Sequence, residues 1–301
     1  MGLFRTQKRK PSYSLLSGYS HYLPGMGGMV MMLVMFFLGA LLGNVAVLCM
    51  QAVSETFAKS YGMLVSYPVM FIPPMLYASA KSRKNEIFDE GYALDSRNFG
   101  KYSGAFMAFV ASAATVALAF LIEPVNALLP EMPEWLKAAM EQMLEGGPLW
   151  VTILSVSVFA PLFEEWLCRG IILRGLLKHS NPIVAILVSS LFFGILHMNP
   201  WQAIPAFCLG ILFGYVYYKT GSLKLTMLMH CVNNTMSVIF SQIPAFKDAE
   251  SFMDIMSWPA YAATGAACVI ILVCTAIIMK GIATKDDALG GCDRISPVEF
   301  N

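Results

Sequence analysis

The sequence predicts an all-α integral membrane protein, a polytopic helical bundle of about eight transmembrane helices with both termini in the cytoplasm. Of its 301 residues, 57% are hydrophobic and only 13% are charged, and the mean hydropathy is +0.63. A soluble domain carries roughly a quarter charged residues. Several apolar runs reach the roughly 20 residues that a membrane-spanning helix needs. The net charge of +1 produces no field that would favour nucleic acid, so the expected surroundings are the lipid bilayer, that of the cell (plasma) membrane if the source is bacterial.

The apolar runs place eight spans along the chain. They cover about residues 26–50, 61–80, 103–123, 148–174, 182–198, 202–219, 223–243 and 258–280. The fifth and sixth spans are short, and the sequence MNPW (198–201) between them fits either a tight outer turn or a hairpin that does not fully cross. We therefore expect a single transmembrane domain at 26–280, flanked by a basic cytoplasmic N-terminal tail (1–25) and a cytoplasmic C-terminal tail (281–301).

The distribution of Lys and Arg supports this topology. With the N-terminus inside, sixteen of these residues lie in inner segments, and only Lys59, Lys137 and Lys247 lie in outer ones. Cytoplasmic loops of membrane proteins carry such an excess of positive charge. The outer stretch EMPEWLKAAMEQMLEGG (131–147) spaces its apolar residues as a helix does, which predicts an amphipathic helix on the membrane surface.

Three ionisable residues interrupt the fourth span, in VSVFAPLFEEWLCRGIIL (156–173). An ionised side chain at a helix centre costs roughly 2.5–3.5 kcal/mol on the insertion scale. Glu165 and Arg169 are four residues apart, so they share a helix face and can form an ion pair. Glu164 is offset by about 100° and is left over. Pro161 removes a helix hydrogen bond and predicts a kink beside Glu164. A buried network that only fixes helix packing is the alternative explanation.

Two histidines lie within polar patterns on other spans. The sequence FFGILH places Phe193 and His197 on one helix face, and HCVNN does the same for His230 and Asn234. Glu and His side chains can hold and deprotonate a water, while His and Asn can donate hydrogen bonds to a developing oxyanion. These are the parts for hydrolysing an amide. They are also ligand types for a divalent metal such as zinc, so metal-assisted and metal-free reactions both stay open. The zincin motif HExxH and the serine-hydrolase motif GxSxG are absent from the sequence.

Three patterns therefore stand in order along the apolar spans: EExxxR (164–169), FxxxH (193–197) and HxxxN (230–234). Each pattern alone is weak, and the three together are specific. The combination resembles the CPBP family of intramembrane endopeptidases, which comprises the CAAX proteases and the bacteriocin-processing (Abi) group and includes the type II CAAX prenyl endopeptidases. The resemblance covers about residues 148–240, roughly a third of the chain.

The resemblance implies an all-helical membrane fold with the site in a cavity inside the bundle. By similarity, Glu164 would activate the attacking water and His197 would help to hold it. His230 and Asn234 would stabilise the oxyanion. Supporting positions would be Glu165, Arg169 and Phe193. The resemblance leaves open whether a divalent metal such as zinc takes part or only the glutamate-activated water; the candidate ligands of such a metal are Glu164, His197 and His230.

The expected function is an intramembrane endopeptidase that hydrolyses a peptide bond in a peptide or membrane-anchored protein. The alternative is a non-catalytic membrane immunity or peptide-binding factor that uses the same cavity. An ion- or proton-coupled transporter would also bury carboxylates and histidines. Transporters of that kind are commonly built from inverted repeats, and no internal repeat is visible in the sequence.

Overall fold

The computed structural model describes residues 16–87, 91–126, 128–247 and 251–284. Over these ranges the chain is helical and contains no β-strand, which confirms the predicted all-α class. The longer helices are α1 (Met26–Val53), α2 (Glu55–Asn85), α3 (Gly104–Asn126), α4 (Glu134–Glu145), α5 (Leu149–His179), α6 (Pro182–Leu196), α7 (Pro200–Thr220), α8 (Leu223–Ser241) and α9 (Trp258–Lys280). Short helical turns lie at Ser17–Tyr19, Pro244–Lys247 and Phe252–Ile255.

Six of the described helices, α1, α2, α3, α5, α7 and α9, are long and apolar enough to cross a membrane. The chain is therefore an integral membrane protein. Helix α6 is apolar but shorter, and the 19-residue α8 contains the polar HCVNN sequence. Each of the eight predicted spans coincides with a helix, while the number that cross fully stays a prediction. Most of the two predicted tails, residues 1–15 and 285–301, lies outside the described residues.

Loop contacts join segments that the sequence predicts on the same side of the membrane. At the predicted outer end, the Trp201 indole donates a hydrogen bond to the Pro130 carbonyl at 2.9 Å. At the predicted inner end, the Ser96 N–H donates to the Gly221 carbonyl at 2.8 Å. The predicted outer amphipathic segment is observed as α4, with Leu136 buried and Trp135 exposed. Its position on the membrane surface stays a prediction.

Short polar caps allow consecutive helices to follow one another closely. At the starts of α2, α6, α7 and α8, a side-chain oxygen accepts a hydrogen bond from a backbone N–H of the first turn, which would otherwise lack a partner. The capping residues are Ser54, Asn181, Asn199 and Ser222. Asn181 and Asn199 each precede a proline in the first turn, where a missing N–H costs nothing. These caps fix where α6, α7 and α8 begin around the centre of the bundle.

Helix α5 lies at the centre of the bundle. In its most apolar stretch 61% of the residues are buried, against 17% in α9, which faces outward. It packs against α2, α6, α7 and α8. All eight residues from Trp166 to Leu173 are buried. Its inner end is anchored by Arg174, whose guanidinium donates to the carbonyls of Tyr19, Ser20, Tyr22 and Tyr92. The charged helix of the sequence is therefore enclosed by its neighbours.

Helices α1 and α2 form an antiparallel pair held close by two glycines. A Cβ at Gly39 would overlap the Met70 carbonyl, and one at Gly43 would lie 2.9 Å from the Ser66 carbonyl oxygen. Small residues four apart let membrane helices approach backbone to backbone. Helix α1 packs mainly on α2, and it leaves an apolar face with Val34, Leu41 and Leu48 exposed.

A methyl group at the crossing point should loosen this pair. We expect Gly39→Ala to destabilise the solubilised protein by about 1–3 kcal/mol, the usual cost of overpacking a close contact. The measurement is reversible denaturation in mixed micelles. Gly27→Ala is the matched control, because nothing lies within 4 Å of a Cβ at Gly27 on the same helix. Equal stability of the two variants would contradict the close approach.

Candidate active site

The helix that carries the two glutamates is irregular on both sides of them. Residues Ile153–Phe159 and Trp166–Leu173 form wide π-helical turns, and Ala160–Glu165 between them is α-helical. The Ala160 N–H bonds to the Ser155 carbonyl, five residues earlier. This widening lies directly before Pro161, which has no N–H to donate. Wide turns of this kind are rare in proteins, and those that do occur are often found at functional sites. Near Glu164, where Pro161 predicts a kink, the helix therefore changes from π-helical to α-helical hydrogen bonding and back.

The ion pair predicted between Glu165 and Arg169 is confirmed. Arg169 Nη1 lies 2.6 Å from Glu165 Oε1, and both side chains are fully buried. Arg169 Nη2 donates to the Gly210 carbonyl of α7 at 3.0 Å. The guanidinium carbon also lies 4.7 Å from the ring centroid of Phe193 and 5.3 Å from that of Phe213. Buried between two aromatic faces, the charge gains cation–π attraction in place of water.

His230 on α8 lies between the two carboxylates. Its Nδ1 is 3.1 Å from Glu165 Oε1, and its Nε2 is 3.8 Å from Glu164 Oε2. A carboxylate only accepts, so Nδ1 carries a proton and donates to Glu165. The second distance exceeds a hydrogen bond. The Nε2 edge of the ring and Glu164 Oε2 therefore face each other without a direct bond.

Glu164 is held by a residue that the sequence analysis did not identify. The Tyr67 hydroxyl of α2 donates a hydrogen bond to Glu164 Oε1. Glu164 Oε2 is buried and has no hydrogen-bond partner among the described residues. Within the described part of the chain, no Lys or Arg pairs with Glu164, and its hydroxyl donor comes from another helix. No periodicity in α2 distinguishes Tyr67 from its neighbours, so the sequence held no signal for this contact.

His197 and Asn234 lie around this cluster and do not bond to Glu164. His197 ends α6, and its Nδ1 lies 3.0 Å from the Phe193 carbonyl oxygen. Phe193 separates the two histidines, with its ring centroid 5.2 Å from that of His197 and 5.4 Å from that of His230. Asn234 Nδ2 donates to the Val156 carbonyl of α5 at 2.9 Å. The charged side chains therefore contact one another, whereas His197 and Asn234 lie beside them and bond to backbone carbonyls.

The chain reversal after α6 holds the backbone of His197. Met198 adopts a left-handed conformation with φ +55°, which is uncommon for a residue with a side chain. The Asn199 amide donates to the His197 carbonyl at 2.8 Å and to the Gln202 side chain at 2.7 Å. The MNPW sequence is therefore a tight turn. Asn199 in this turn holds the backbone of His197.

The predicted metal ligands are not assembled into a metal site. Within the described ranges, no group of three His, Cys, Asp or Glu side chains is arranged to hold a metal ion. Glu164 Oε2 and His230 Nε2 face each other at 3.8 Å, but no contact brings His197 to the same point. The described contacts thus bring two of the three candidate metal ligands together and leave the third apart.

The two adjacent glutamates should respond differently to neutralisation. We expect Glu165→Gln to destabilise the protein by about 3–5 kcal/mol, because it leaves the buried Arg169 guanidinium without its counter-charge. Glu164→Gln should cost much less, because Glu164 pairs with no cation within hydrogen-bonding distance. Reversible denaturation in mixed micelles measures both.

A double variant provides the control for this comparison. Adding Arg169→Met to Glu165→Gln removes both charges, so the loss should be smaller than the sum of the two single losses. Equal destabilisation by Glu164→Gln and Glu165→Gln would contradict the assignment of the ion pair.

Known proteins match the segment of the chain that contains Glu164, His197, His230 and Asn234. A family model described as type II CAAX prenyl endopeptidase Rce1-like matches residues 146–236. The chain is 28% identical over 106 residues to the putative membrane peptidase YdiL of Bacillus subtilis, a match that covers 35% of this chain and 43% of that protein. It is 35% identical over 97 residues to the membrane-embedded CAAX protease MroQ of Staphylococcus aureus. That match covers 30% of this chain and 39% of that protein. The chain thus spans less than half the length of these relatives. No solved structure matches it.

Proposed function

We propose that the chain is a CPBP-family intramembrane endopeptidase with Glu164 as its base, and the match of residues 146–236 to the CAAX-protease-type family model and to membrane peptidases supports this. One observation carries the proposal: no Lys or Arg among the described residues pairs with the buried Glu164, and its unpartnered Oε2 lies 3.8 Å from His230 Nε2. Glu165 Oε2 also lacks a hydrogen-bond partner there, but Glu165 is bound to Arg169. Structural carboxylates in apolar interiors are normally paired. A carboxylate oxygen left without a partner is suited to accept a proton.

The first step of the proposed reaction is attack by water. Glu164 Oε2 takes a proton from the water while the water oxygen bonds to the carbonyl carbon of the peptide. The π electrons of the carbonyl move to its oxygen, which becomes an oxyanion. In the second step the carbonyl re-forms, the C–N bond breaks and the leaving nitrogen takes the proton from Glu164. Atoms and charge balance without an oxidant or reductant, as general acid–base hydrolysis requires.

The two histidines have free nitrogens suited to different roles in this scheme. His197 Nδ1 is directed to the Phe193 carbonyl, which leaves Nε2 as an acceptor that could hold the water. His230 donates its Nδ1 proton to Glu165, so Nε2 is the nitrogen directed at the reacting groups. Nε2 donates to an oxyanion when the ring carries its second proton. Preorganised donors of this kind stabilise a tetrahedral intermediate.

Asn234 supplies the second donor to the oxyanion in the proposed mechanism. One of its N–H groups is occupied by the Val156 carbonyl, and its Oδ1 accepts from Asn233 at 3.1 Å. Both contacts fix the plane of the amide and leave the other N–H available. Because α5 supplies Val156 as well as Glu164, the base and this donor are held by one helix.

We propose a peptide or membrane-anchored protein as the substrate. The acceptors and donors of the site lie on helices of an apolar bundle, with Glu164, Glu165 and His230 buried in it, and this environment favours a substrate that already resides in the bilayer. The B. subtilis and S. aureus relatives are named as membrane proteins, and for this chain we propose the plasma membrane as the location and no nucleic-acid partner.

Removal of the base should abolish cleavage. We expect Glu164→Gln to lower the rate of product formation by at least about 100-fold, the lower range for a lost general base. The measurement is a quantitative survey of new peptide termini in membranes from cells that express wild type or variant at matched levels. Glu134→Gln at an exposed position of α4 is the control, and it should leave the termini unchanged.

Two results of this survey are decisive. Termini present with wild type and with Glu134→Gln, but absent with Glu164→Gln, support proteolysis and name a substrate. If the Glu164→Gln variant produces the wild-type termini, or retains a phenotype that no cleavage accompanies, the protease proposal is wrong and the peptide-binding alternative replaces it.

A further inference from the structure

One residue outside the family-matched segment contacts the proposed base. Tyr67 lies on α2, 97 residues before Glu164, and the match to the family begins at residue 146. Its hydroxyl is the sole hydrogen-bond donor to the Glu164 carboxylate among the described residues. None of the three sequence patterns contains it.

This hydrogen bond distinguishes the two oxygens of Glu164. The terminal torsion of a glutamate is broad and nearly two-fold, so an unrestrained carboxylate can exchange its oxygens. With Oε1 held by Tyr67, only Oε2 faces His230 Nε2, at 3.8 Å. A hydroxyl bonded to a carboxylate is among the stronger hydrogen bonds in proteins. The tyrosine therefore determines which oxygen is directed into the site and keeps it there.

The tyrosine is itself held by packing. Its ring is tilted against Phe71 at 5.8 Å, and Phe71 stacks on Phe163 at 5.1 Å, immediately before Glu164 in the chain. Close to it along α2, Gly43 and Gly39 of α1 approach the carbonyls of Ser66 and Met70, which flank Tyr67 in the sequence. The α1–α2 pair is thus positioned to hold the hydroxyl against α5.

We infer that Tyr67 is a positioning residue for the reaction, which orients Glu164 so that Oε2 acts as the proton acceptor. The inference rests on the proposed function and extends it, because it makes α2 a part of the site. Tyr67 acts through Glu164 and does not touch the substrate. Its loss should affect the chemical step and leave substrate binding unchanged.

The test compares Tyr67→Phe with Tyr61→Phe on the same helix. Phenylalanine keeps the ring that packs on Phe71 and removes only the hydroxyl. The Tyr61 hydroxyl makes no hydrogen bond within the described part of the chain, although its ring contacts Phe57 and Trp150. The probe is a membrane-anchored reporter that carries a cleavage sequence found in the survey of termini. We expect Tyr67→Phe to lower kcat by about 10- to 100-fold with KM unchanged, and Tyr61→Phe to leave both unchanged.

A second measurement does not depend on turnover. Infrared difference spectra of the purified protein identify the carboxylate stretching band of Glu164 as the band that disappears in Glu164→Gln. Loss of a hydrogen bond to one carboxylate oxygen shifts that band, so it should move in Tyr67→Phe and stay in place in Tyr61→Phe. A protein that is merely destabilised would not show a shift confined to this band.

The outcomes separate the two hypotheses. If Glu164→Gln is inactive while Tyr67→Phe keeps the wild-type kcat, or changes KM alone, or leaves the Glu164 band unmoved, the positioning role is wrong and the proposed function stands. If Glu164→Gln cleaves the reporter like wild type, the proposed function fails and the role of Tyr67 fails with it.

Discussion

The buried ion pair between Glu165 and Arg169 is the interaction on which the centre of the bundle depends. A lone guanidinium in an apolar interior is costly, and here it is offset by a carboxylate, the Gly210 carbonyl and two aromatic faces. These groups come from α5, α6 and α7, and Glu165 also accepts from His230 of α8. Four helices must therefore pack in one arrangement for the charge to be satisfied.

Adjacent positions on one helix give two glutamates opposite environments. Glu165 accepts from a cation and from an imidazole through the same oxygen. Glu164 accepts from a tyrosine hydroxyl on one oxygen. The second oxygen of each glutamate has no partner among the described residues, so the difference between the two is the Arg169 cation, which pairs with Glu165 alone. The first carboxylate is suited to hold structure and to orient His230. The second is suited to chemistry, because no Lys or Arg among the described residues pairs with it and its Oε2 faces His230 Nε2.

The helices outside the family-matched segment also contribute to the site. The match covers residues 146–236, yet one oxygen of Glu164 is held from α2, which is in turn held by the close approach of α1. In a bilayer, helix association depends on close packing and hydrogen bonds, since lipid offers as much apolar contact as another helix does. A pair of small residues in α1 can therefore influence a carboxylate two helices away.

The sequence by itself determined the features that depend on local spacing and composition. Apolar run length predicted the positions of the helices, and a four-residue separation predicted the ion pair of Glu165 and Arg169, because these follow from the geometry of one helix. The sequence patterns also named His230 and Asn234. Only the tertiary structure decided which groups from different helices meet: the Tyr67 hydroxyl on Glu164, His230 between two carboxylates and Asn234 on Val156. Such contacts depend on the tilt, rotation and register of packed helices, which no periodicity within a single helix encodes.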